Sequence, residues 1–172
     1  MLFRRVRITP EARSALAQAY RVATNRKCPA PLAAARSLTG WCVLLPDVLA
    51  EEDTGQWRLA GWHTIEQGGW NDQNRELRWE ETSGRRGSII MDDPQRVPEV
   101  FRERVQASIV VQKHIQIEGT REGGVVSARR DLAHPDQPLS WRTWRGRGTP
   151  DDDHTRAILE AAMAELKADF DI

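Results

Sequence analysis

The chain has 172 residues, 40% hydrophobic and 29% charged, which is enough for one packed core and too mixed for a fibrous or disordered polymer. Its 25 basic and 25 acidic residues cancel, which removes the overall electrostatic case for nucleic acid as a partner. No segment has the apolar length needed to cross a bilayer, and two cysteines without C-x-x-C spacing read as free thiols, not a disulfide.

The start, "MLFRRVRITPEAR", lacks an apolar core of signal-peptide length, so the expected location is the cytoplasm. Phe3, Arg4, Arg5 and Arg7 combine apolar and cationic groups, which gives a weak peripheral contact with anionic lipid as one reading. "ITPEARSALAQAYRV" predicts the first helix, with Thr9 as N-cap, Pro10 at the first helical position and Ala12, Leu16, Ala19 and Tyr20 inward. "TNRKCPAP" then breaks it. Cys28 follows Lys27, which would lower its pKa, but Pro29 and Pro31 place it in a loop as an exposed structural thiol.

Short strands follow in "LAAARSL", "WCVLL", "DVLAEE", "WRLAGWHTI", "RELRWEET" and "GSIIM", punctuated by "EDTG", "QGG", "NDQN" and "SGRRG". So many turns suit an antiparallel meander or small barrel. Within "AGWHTIEQGGWND", a continuous strand sends His63 and Glu66 to opposite sides, which argues against a dyad between them, and Asp72 belongs to a turn. "DDPQRVPEVFRERVQAS" predicts a middle helix near 94–107, with Asp93 as N-cap and Pro94 first, and Val97, Val100, Phe101 and Val105 on one face. "IVVQKHIQIEG", "GGVVSARRD" and "PLSWRTWR" give three more strands, the first with Ile109, Val111, Ile115 and Ile117 on one side. A C-terminal helix near 150–170 carries the stripe Ile158, Ala162, Leu166 and Phe170, flanked by Leu159 and Met163.

The expected architecture is therefore α+β and a single domain over 1–172. An N-terminal helix and loop (1–31) precede a β-rich body (32–172) with an inserted and a C-terminal helix. The alternation of the "W-x-x-I" strand, a second Trp beyond it, the "DDP…VPEVFRERVQASIVV" passage and the closing "TPDDD…ILEAAMAEL" helix resembles a family of uncharacterised actinobacterial proteins. The first half is similar to the bacterial pleckstrin-homology-like pattern, in which small antiparallel strands wrap into a roll closed by a helix. The resemblance implies a fold and no activity.

Candidate chemistry is thin. Asp151, Asp152, Asp153 and His154 could hold a divalent metal, but carboxylates in a helix's first turn are already favoured by its dipole. "RGRGTP" at 145–150 lacks the lysine ending of a phosphate loop. His63, His114, His134 and His154 show no ligand spacing, and neither a metal nor a cofactor is inferred. An enzyme assembled from scattered residues would draw on His63, His114 and Asp92. The preferred reading is a non-catalytic binding or scaffold module. Of seven tryptophans, Trp141 and Trp144 differ in strand parity, so one faces away from the core; beside Arg142 and Arg145 it makes a contact surface for a protein partner or a second copy. No small-molecule ligand is inferred.

Overall fold

A computed structural model of the chain describes residues 7–170. The chain divides into two compact units: the first runs to Ser108 and takes in Asp131–Pro135, and the second comprises Ile109–Arg130 and the chain from Asp136 onward.

In the first unit, α1 (Pro10–Thr24) begins as its sequence dictates, with the Thr9 hydroxyl accepting the Ala12 N–H at 3.3 Å. It ends at Asn25, whose left-handed φ of 55° lets its N–H reach the Arg21 carbonyl. Strands β1 (Ala33–Arg36), β2 (Trp41–Leu44), β3 (Val48–Asp53) and β4 (Gln56–Gly61) form an antiparallel sheet in chain order. The run "WCVLL" is apolar throughout because both faces of this sheet are covered. Trp41, Val43 and Leu45 pack with Leu16 and Tyr20 of α1, whereas Cys42 and Leu44 enter the larger core. That core also receives Leu77, Trp79 and Ile89 from the sheet of β5 (Ile65–Asn71), β6 (Glu76–Glu81) and β7 (Arg86–Ile90), and Val97, Val100 and Phe101 from α2 (Val97–Ser108). Seven strands thus form two separate antiparallel sheets followed by a helix. No closed barrel forms among the described residues.

The expected continuous strand over "WRLAGWHTI" is broken. Gly61 ends β4, Trp62–Thr64 makes one 3-10 turn, and β5 starts at Ile65. The cause is Trp62, which is fully buried, donates its indole N–H to the Leu45 carbonyl at 3.0 Å and stands edge-on to Phe101. The turn folds the His63 ring back over Gly61, where a Cβ would lie 2.7 Å from it. The middle helix also starts later than its sequence suggests. Gln95 takes a left-handed φ of 52° and binds Asp93 through its side-chain amide at 2.6 Å, so Asp93 and Pro94 belong to a turn and the helix opens at Val97.

In the second unit, β8 (Ile109–Ile115), β9 (Gly124–Arg129) and β10 (Ser140–Arg145) form an antiparallel sheet with β9 in the centre. A register shift between Ile109 and Val111 breaks the regular alternation expected for β8, and Ile117 lies beyond the strand, buried. Helix α3 (Asp153–Phe170) covers one sheet face: a Cβ at Gly124 would come within 2.6 Å of Leu159. It begins three residues after Pro150, where Asp152 accepts the Thr155 N–H at 2.7 Å. No described helix is long and apolar enough to cross a membrane.

Candidate functional site

A polar cluster of the first unit joins the end of α1, the β2–β3 turn, the Trp62–Thr64 turn and the segment Asp131–Pro135. Tyr20 is fully buried on the inner face of α1 and donates its phenol to Asp47 Oδ2 at 2.5 Å. Arg26 lies 3.8 Å from the same oxygen and donates to the Ala133 carbonyl at 2.8 Å. Asp131 accepts the Ala133 N–H at 2.8 Å, holds His134 Nδ1 at 3.0 Å and faces His63 Nδ1 at 3.7 Å. Leu132 packs on the main core and anchors the segment.

Burial, then the hydrogen bond to Asp47 and its charge, push the Tyr20 phenol up to about 12. Burial works to raise the Asp131 carboxyl, but the His134 hydrogen bond, the Ala133 N–H and the electrostatic attraction of His63 and His134 outweigh it and hold the group below its ordinary value. Cys28 is half-buried, not exposed, and its thiol is pushed up by burial and by Asp47, which reverses the effect expected from Lys27. Cys42 is a second free thiol, wholly buried and also raised by burial.

His63 therefore meets Asp131, a residue that sequence reasoning did not single out. The only local sign was the spacing in "DLAHP", where an Asp carboxylate caps the N–H two residues on and meets the His three residues on. The other polar residues weighed for chemistry have local surroundings of their own. His114 Nε2 contacts the Glu122 carbonyl at 2.6 Å across the β8–β9 turn. Asp92 lies with Asp93, Arg36, Ser37 and Leu38 around a cleft of about 250 Å³. Asp72 accepts the Trp70 indole N–H at 3.3 Å in its turn. Asp151 and Asp153 face Arg156, and Asp152 caps α3. Among the described residues no group of three His, Cys, Asp or Glu side chains could hold a metal ion.

On β10 the four residues expected to form a contact surface separate by strand parity. Trp141 stands edge-on to Phe170 of α3 with Lys167 6.0 Å from its ring, and Arg145 donates to the Thr149 carbonyl at 3.0 Å and faces Asp151. Arg142 and Trp144 share the opposite face; the first is exposed and the second half-buried. Phe3, Arg4 and Arg5 lie outside the described residues, and Arg7 is exposed.

No protein-family model matches the chain, and neither the curated proteins nor the solved structures give a match.

Proposed function

We propose that the protein is a non-catalytic binding module that engages a protein partner through Arg142 and Trp144. The observation that carries this reading is their position: they stand two residues apart on one face of β10, an edge strand of its sheet. Aromatic and arginine side chains of this kind anchor protein interfaces because they combine apolar area with directional hydrogen bonding. Trp141 and Arg145 hold α3 and its entry turn, and so support the surface from behind. The pleckstrin-homology-like likeness is compatible with the first unit, where seven small antiparallel strands are followed by α2.

Affinity capture from the organism of origin, with the wild-type chain and with Arg142→Ala and Trp144→Ala, tests the proposal. A partner lost from both variants, with unchanged thermal unfolding, supports it; equal capture by all three chains overturns it. A second reading, acid–base chemistry at His63 and His134 oriented by Asp131, draws on the 3.0 Å contact of the last pair. It makes the opposite demand: alanine at both histidines would abolish a cellular role that the binding reading leaves intact.

A further inference from the structure

Strand β5 is one of the two edge strands of the β5–β6–β7 sheet, and its middle is bare. Gln67, Gly68 and Gly69 are consecutive exposed residues. Exposed edges are ordinarily guarded by charges, proline or bulges, because unpaired N–H and C=O groups accept another strand. The register shift of β5 lies between Ile65 and Gln67, ahead of this segment, and from Gln67 onward two glycines leave the backbone uncovered beside an open depression of about 740 Å³. The depression's outward rows follow from the register: Gly69, Arg78 and Ser88 lie side by side, and Gln67, Glu80 and Arg86 form the row two residues away. A side chain at Gly69 would meet nothing within 4 Å, whereas one at Gly68 would strike Phe101 and the Arg78 carbonyl.

We infer that this edge pairs with the same edge of a second copy, antiparallel, with Gly68 opposite Gly68. Two copies related by a two-fold axis perpendicular to the sheet oppose residues of equal parity, so the glycine pair allows two central registers. Centring on Gly69 sets Arg78 of one copy in line with Arg78 of the other across two residues without side chains, and like charges repel. Centring on Gly68 places Arg78 and Gly69 of one copy in line with Gln67 and Glu80 of the other, twice over. The bare Gly69 then opens a path of about 10 Å, two strand spacings, between the strands that carry the guanidinium and the partner's glutamine. Arg78 is largely exposed and, among the described residues, is held to Glu76 at 2.6 Å; Glu80 accepts Gln67 at 3.1 Å and faces Arg86 at 3.7 Å. The charge pattern, not side-chain packing, therefore selects the register, as expected where glycines leave it weakly specified.

Sedimentation equilibrium on the full chain, from micromolar to submillimolar concentration, tests the inference. The wild type should follow a monomer–dimer equilibrium that weakens with salt. Gly69→Glu has room to fold and sets a carboxylate in line with the other copy's Glu80, so its dissociation constant should rise at least about tenfold, as should that of Arg78→Glu. Arg78→Glu combined with Glu80→Arg should return to near the wild-type value, and circular dichroism checks that each variant is folded. A chain that stays monomeric throughout, or a dimer indifferent to these variants, overturns the inference. So does a dimer lost with Trp144→Ala and kept with Gly69→Glu, which would leave the β10 reading standing. A monomer that binds a synthetic peptide copying Ile65–Asn71 would assign the edge to a foreign strand and overturn the second copy as its occupant.

Discussion

Tyr20 shows most directly what a buried polar residue does for this protein. It is the only tyrosine in the chain, fully buried, with its phenol on Asp47. The folded state raises its pKa from 10.0 to about 12, so the fold binds this proton more tightly than the unfolded chain does. The stabilisation is fully present below the unfolded value and is lost as pH climbs from there through the folded value. Absorbance of the phenolate should therefore show no midpoint near the ordinary tyrosine value, appearing only close to the folded value or with unfolding; a titration in the ordinary range would refute the buried contact. Tyr20→Phe should remove this alkaline slope and cost about 1–3 kcal/mol at neutral pH, because Asp47 stays buried with one donor fewer. The α1 face that buries Tyr20 was legible from helical spacing alone. Its partner Asp47 was not, since nothing local marks a carboxylate in a strand turn as the acceptor for a phenol 27 positions away.

At the scale of elements, Arg85 ties the two sheets of the first unit. From the β6–β7 turn it binds Glu81 on β6 at 2.6 Å and also binds Glu51 on β3, both carboxylates being mostly buried. Removing one member of such a group does more harm than removing all of it, because the damage comes from the charges left behind. Arg85→Ala is expected to lower stability by about 1–3 kcal/mol, read as a lower urea midpoint. The triple variant Arg85→Met, Glu51→Gln, Glu81→Gln should recover most of that loss; a triple variant as unstable as the single one would refute this account. Most strands were readable from alternation and turn residues, but β5 was not, because its Gln67, Gly68 and Gly69 read as a turn and the structure pairs them with β6. The break at Trp62–Thr64 was not, because a strand-like run says nothing about a core site that draws one indole out of the strand's path.

Across the whole molecule, burial is unequal. Every residue of β2 is buried, one face against α1 and the other in the main core, whereas β5 exposes three residues in succession. Native-state hydrogen exchange should therefore find its slowest amides in Trp41–Leu44 and much faster exchange in Gln67–Gly69. Equal rates in the two strands would contradict this layering. The α+β class, the three helices and the antiparallel strands follow from the sequence by itself, because caps, turn residues and hydrophobic periods act over a few neighbouring positions. Only the tertiary structure brings Arg26 to Ala133, 107 positions along the chain, sets Asp131 against His63, and turns Arg142 and Trp144 away from α3 while Trp141 packs on it. Those pairings depend on which faces are buried together and in what register, and burial is a property of the assembled core that no local stretch of residues contains.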